Sequence, residues 1–104
     1  MKWYGASAFF EAQHVPPSSV PTLWEEKVFL VQAHSTEEAV ELAREVSMRN
    51  EVSYEAADGS MAHWKFSKIE RINELDFETV ASGAEVFSRF LRASEVESLS
   101  TPFD

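Results

Sequence analysis

The sequence contains no cysteine. That absence removes disulfide staples, thiolate metal ligands and a cysteine nucleophile together, and it fits a reducing cytoplasm, which is the expected compartment. Glycine is scarce, with three residues in the chain, so neither a phosphate-cradling loop nor a dinucleotide fingerprint can be assembled. Positive charge is scarce too: nine Lys and Arg stand against eighteen Asp and Glu, a formal net charge of −9. Nucleic-acid affinity comes chiefly from cationic side chains displacing condensed counterions, so this balance argues against a nucleic-acid partner and equally against an anionic membrane. No apolar run approaches the roughly 20 residues of a membrane helix. The start, Met1-Lys2-Trp3-Tyr4-Gly5, lacks the apolar core of a signal peptide. His14, His34 and His63 have no zinc-motif spacing, and neither Gly-x-Ser-x-Gly nor Ser-x-x-Lys occurs. No metal, cofactor or catalytic residue is therefore expected, and the chain reads as a non-enzyme.

What is present is a globular composition, 44% hydrophobic and 12% aromatic, in 104 residues read as one domain, 1–104. Its organising stretch is Trp24 to Asn50. Here an apolar strand, Trp24 to Ala33, feeds an amphipathic helix from Ser35 to Arg49. Ser35 is a good N-cap, with Glu38 at the capping-box position and Glu37 and Glu38 favouring the positive end of the helix dipole. Ala39, Leu42, Ala43 and Val46 recur at helical spacing and predict one buried stripe.

Before it, residues 3–13 alternate as a strand with large aromatics on both parities, so partial cover on both faces is expected. Residues 14–22 hold three prolines and two serines and read as an exposed loop. After the helix, Glu51 to Ala56 and Met61 to Glu70 predict a hairpin closed at Ala57-Asp58-Gly59-Ser60, where Gly59 can take a positive φ. Ala62, Trp64 and Phe66 share one face of the returning arm. Ile69 breaks that parity, which a bulge or the end of the strand explains. Asn73 to Gly83 fits either a short helical turn or an irregular connection. Ala84 to Arg92 is rich in β-favouring residues and predicts a last strand, with Glu85, Phe87 and Arg89 on one face. Ser94 and Glu97 repeat the capping-box spacing, predicting a short terminal helix ended by Pro102, with residues 100–104 frayed. The expected fold is α+β: a small antiparallel sheet of four or five strands in the order β-β-α-β-β-β, with the main helix on one face.

Several landmarks then line up: Trp3-Tyr4, Leu23-Trp24-Glu25-Glu26, Ala33 followed by Glu37-Glu38-Ala39, Asp58-Gly59, Trp64-Lys65-Phe66, and Gly83-Ala84-Glu85-Val86-Phe87-Ser88-Arg89-Phe90. Together they resemble the bacterial domain-of-unknown-function family 4288 over nearly the whole chain. The last family motif usually has threonine where Ala84 stands and tyrosine where Phe87 stands, so two hydroxyls are missing here. The resemblance implies a small α+β domain and brings no activity with it.

For function, two classes are weighed. One helix covers one face of a small sheet, yet Phe9 with Phe10, and Phe29 and Val31 with Val28 and Leu30, put apolar bulk on both faces. An apolar second face open to water marks an interface. The expectation is a protein partner or homo-oligomer, basic if heteromeric given the acidity, meeting a surface of Trp24, Glu26, Glu85, Phe87 and Arg89. The alternative is a small-molecule or catalytic domain whose pocket is lined by Trp3, Trp24 and Trp64, with Glu26 or His63 as acid or base. Against it, each tryptophan is read as core filling.

Overall fold

The computed structural model describes residues 1–19, 21–77 and 79–101. Val20, Glu78 and the terminal stop at Pro102 lie outside the described residues. Elements follow as β1 (Lys2–Val15), β2 (Trp24–Ala33), α1 (Thr36–Arg49), β3 (Val52–Glu55), β4 (Met61–Leu75) and α2 (Ala93–Ser100). The four strands form one antiparallel sheet in the order β2-β1-β4-β3.

The start of α1 follows from its cap. Ser35 keeps an extended backbone and its hydroxyl accepts from the amide of Glu38 at 3.2 Å, so one orphan donor of the first turn is satisfied. The reciprocal bond from Glu38 to the cap is not formed among the described residues. At the far end Asn50 donates its side-chain amide to the Val46 carbonyl at 2.9 Å. The stripe expected from the sequence packs where it should. Ala39 and Ala43 are fully buried against Tyr4, Ala6, Val31 and Ala33, with Leu42, Val46, Ile69 and Ile72 around them. Ser47 is buried in the same stripe, and its hydroxyl donates to the Ala43 carbonyl at 2.7 Å, so burial leaves that hydroxyl satisfied.

Residues directly opposite in an antiparallel pair share a face, so the register sorts the sheet. Tyr4, Ala6 and Ala8 of β1 meet Val31, Phe29 and Lys27 of β2, and Glu74, Ile72 and Ile69 of β4; this is the helix face. Trp3, Gly5, Ser7 and Phe9 meet Gln32, Leu30, Val28 and Glu26, and Leu75, Asn73, Arg71 and Lys68; this is the second face. The parity break at Ile69 is a bulge. Against β1 the register of β4 slips twice, passing Ser67 and Glu70, and each extra residue turns the following side chains over. The strand then runs on to Leu75, beyond the Glu70 end expected, and the described residues that follow it are irregular. β3 and β4 form the predicted hairpin. Gly59 has φ +87°, and Ala56 and Ser60 close the turn with an amide-to-carbonyl bond of 2.7 Å.

One expected element does not form. Ala84 to Leu91 is not a strand, so the sheet has four strands, the lower of the two counts expected, and the order is β-β-α-β-β with α2 at the end rather than β-β-α-β-β-β. From Lys2 to Glu11 both sides of β1 are already hydrogen-bonded, and the segment crosses over that strand on the second face as a strap. Asn73 donates to the Ser88 carbonyl at 3.1 Å. Under Val86 the sheet has Gly5, where a methyl group would overlap the Val86 carbonyl oxygen. β-favouring composition measures fit to a half-buried surface, and a strap on a sheet face offers such a surface without a ladder. The strap also corrects the count of faces: the middle of the second face is covered from within, with Ser7 fully buried. The β2 side of that face stays open, with Trp24 50%, Val28 45% and Leu30 39% exposed.

Two substitutions test this packing. Leu42 is half-buried beside the core, so Leu42→Ala is expected to cost about 2 kcal/mol, the low end for such truncations, read from denaturant unfolding. Gly5→Ala forces a methyl group against strap backbone and is expected to cost about 1–3 kcal/mol and to speed amide exchange in Val86–Ser88, with α1 unaffected.

Candidate functional site

On the open part of the second face, alternation along three strands gathers Phe9 from β1, Trp24 and Glu26 from β2, and Lys68 from β4. With Glu25 and the bulge residue Ser67 they line a groove of about 620 Å³. Phe9 and Trp24 supply apolar walls. The Lys68 ammonium stands 5.8 Å from the Phe9 ring centroid and 3.4 Å from the Glu70 carboxylate, so its charge is held at one rim. At the other rim the Glu26 carboxylate accepts from the buried Ser7 hydroxyl and lies 4.0 Å from the Arg89 guanidinium of the strap. Glu25 faces the other side, where it meets Lys27 at 3.8 Å, as adjacent strand residues must.

Of the residues expected at an interaction surface, Trp24, Glu26 and Arg89 are thus brought together. Phe87 is half-buried in the strap, and Glu85 is exposed and makes no ion pair among the described residues. The three tryptophans do not share a pocket. Trp3 is at the opposite end of the second face, opposite Gln32 and Leu75, and Trp64 is on the helix face, where its indole donates to the Tyr54 hydroxyl at 3.1 Å. Nor is Trp24 core filling: it stands half exposed at the first position of β2, where only Glu11 opposes it. His63 is at the far end of β4 from Lys68, with its Nδ1 2.7 Å from the Ser53 hydroxyl, and is no part of the groove.

A polar cluster escaped the sequence reading because its members are 46 residues apart. The Ser60 hydroxyl and amide donate to the Asp58 carboxylate at 2.6 and 2.9 Å, and His14 Nδ1 lies 3.2 Å from the same hydroxyl. The Asp-Gly-Ser turn was the available signal, since an aspartate two residues before an amide makes such a bond. β1 runs through His14 to Val15, past the loop start expected at residue 14, and this pairs His14 with Ala62 beside the turn. Here the carboxylate holds the serine rather than the imidazole, the reverse of a nucleophile relay, and the cluster pins the hairpin turn to β1.

The C-terminal helix begins earlier than expected. Arg92 is the N-cap and its amide donates to the Glu95 carboxylate at 2.9 Å, in place of the Ser94 and Glu97 pairing. Among the described residues α2 packs against no other element. Val96 and Leu99 are 49% and 61% exposed, and Phe90 just before it is fully exposed. Among the described residues no group of three or more His, Cys, Asp or Glu is placed to hold a metal ion, and no helix is long and apolar enough to cross a membrane.

A family model described as Domain of unknown function (DUF4288) matches residues 3–88, taking in the sheet, α1 and the strap as far as Ser88 and leaving α2 outside. No curated protein and no solved structure matches the chain.

The turn cluster carries a titration signature. The Ser60 hydroxyl, and after it the Ser60 amide, hold the Asp58 carboxyl below its ordinary value. A lowered folded value means that the stabilisation is present above the unfolded pKa and is lost as pH falls through the folded one. Carboxyl chemical shifts followed against pH are expected to put Asp58 below its ordinary value, and Ser60→Ala is expected to move it back up.

Proposed function

The chain belongs to the Domain of unknown function (DUF4288) family, whose description carries no activity, and from its surfaces we propose a small acidic protein-interaction module that holds a basic protein partner. A cysteine-free chain suits a cytoplasmic setting. The observation that supports this reading best is α2. A helix of eight residues is too short to persist in water on its own, because nucleation is costly and few bonds follow it. Helices of this length are ordinarily held by packing, and among the described residues α2 packs against no other element. Val96 and Leu99, spaced three apart, with Phe90 ahead of them, have the pattern of anchors that insert into an apolar groove. Glu95 and Glu97 beside them, on a chain of net charge −9, favour a groove rimmed by Lys and Arg.

A second reading rests on the Phe9–Trp24 groove. Its volume of about 620 Å³ falls in the range of small-ligand sites, roughly 300–1,000 Å³, with a carboxylate at one rim and an ammonium at the other.

Two designed amphipathic peptides of equal length and apolar content, one Leu/Lys and one Leu/Glu, separate the readings by chemical-shift titration. The Leu/Lys peptide is expected to give saturable shifts at Phe90, Val96 and Leu99, to weaken about tenfold as salt is raised, and to lose binding in a Val96→Ser, Leu99→Ser variant. Equal binding of the acidic peptide, or no saturable shift in α2, would remove the basis for a basic partner. Stabilisation by a metabolite that is lost in Trp24→Ala would favour the second reading instead.

A further inference from the structure

The sheet is open along β2, along β3 and along residues 65–75 of β4, which β3 leaves unpaired, and these edges are built differently: the β4 stretch has two bulges and carries Lys65, Lys68, Glu70, Arg71 and Glu74. β3 is four residues long and carries Glu55 at its end. β2 is ten residues long, pairs with β1 without a bulge, contains no proline, and confines its charges to Glu25, Glu26 and Lys27. From Val28 to Ala33 no residue is charged, while Val28 and Leu30 are 45% and 39% exposed on the second face. Natural edges of this length are usually blunted by charge, proline or bulges, since the outer row of N–H and C=O groups is a template for another strand. Among the described residues β2 contacts no element apart from β1 and α1.

We infer that the outer edge of β2 pairs antiparallel with β2 of a second copy of this chain, across a two-fold axis at Phe29. A two-fold normal to the sheet keeps each face on its own side, so residues equidistant from Phe29 meet with the same facing. Val28 then meets Leu30 of the second copy, and Leu30 meets its Val28, joining four aliphatic side chains into one patch. Lys27 meets Val31, Glu26 meets Gln32, and Glu25 meets Ala33. No like charges stand opposite one another, although each copy is strongly acidic. This charge match selects a second copy, because the segment that would otherwise repel itself holds its charges against neutral partners. The two sheets become one sheet of eight strands, ended on both sides by the short β3 and the charged, bulged stretch of β4 beyond it.

The salt dependence has the opposite sign to that of a basic partner. Each copy carries a net charge of −9, so screening strengthens self-association. Light scattering on the full chain over a roughly hundredfold concentration range, at low and high salt, is expected to show a dimer that tightens with salt. A Val28→Lys, Leu30→Lys variant, checked for folding by circular dichroism, is expected to be monomeric. Hydrogen exchange on the unaltered chain reads the same edge without mutation: amides in Val28–Ala33 slow as concentration rises while those of α1 do not. A wild-type chain that stays monomeric throughout, β2 amides indifferent to concentration, or a folded variant that still dimerises would overturn the inference.

Discussion

Four small residues in the middle of β1 set the terms for both layers around it. Gly5, Ala6, Ser7 and Ala8 are all buried, on a strand hydrogen-bonded along both sides. Small side chains there let backbone approach backbone. On one face α1 comes down on Ala6 and Ala33 through Ala39 and Ala43. On the other the strap crosses over Gly5, and Ser7 bonds the Glu26 carboxylate that faces Arg89. Bulk is supplied at the ends of this narrow waist. Phe10 is fully buried beside Phe66, with ring centroids 6.0 Å apart at 62°, and the Lys27 ammonium stands 5.0 Å from the Phe10 centroid.

Most of this frame was legible because local and global preferences agree. Alternation with aromatics on both parities marked β1 as covered on both faces; Ser35 marked the start of α1; Asp58-Gly59 marked the hairpin. The strap was not legible, and the reason is topological. Val86, Phe87 and Phe90 have strand-like composition, but composition does not reveal whether such a segment extends a sheet at its edge or crosses its face, as this one does over Gly5. The α2 boundary was missed by two residues because a serine two positions inside the helix imitates a cap, while the working cap is the backbone of Arg92.

The candidate site divides the same way. Trp24, Glu26 and Arg89 were singled out separately, two from the start of β2 and one from a supposed strand, and the fold joins them through the strap crossing. Trp24 was misjudged as core because tryptophan is usually well buried, whereas a first strand position with the chain turning away offers little to bury it. The link from His14 to Ser60 depends on β1 extending into the proline-containing stretch, where proline argued for a loop. In each case the missing information was a long-range register, which sequence alternation constrains only once a pairing is known.

The two slips of β4, at Ser67 and Glu70, act like a frameshift and its suppressor. Between them the side chains read in the opposite phase, and after the second the original phase returns: Phe66 and Ile72, both even, look toward the helix, and only Ile69, in the interval, is odd. Loss of either residue alone would remove one bulge and leave the pairing on both sides of it as it is, with Phe66 still opposite Phe10 and Ile72 still opposite Ala6. Loss of both together would leave every facing intact. Loss of length at these two positions is therefore tolerable one residue at a time, and a related chain lacking both residues would keep the same core with a straighter β4.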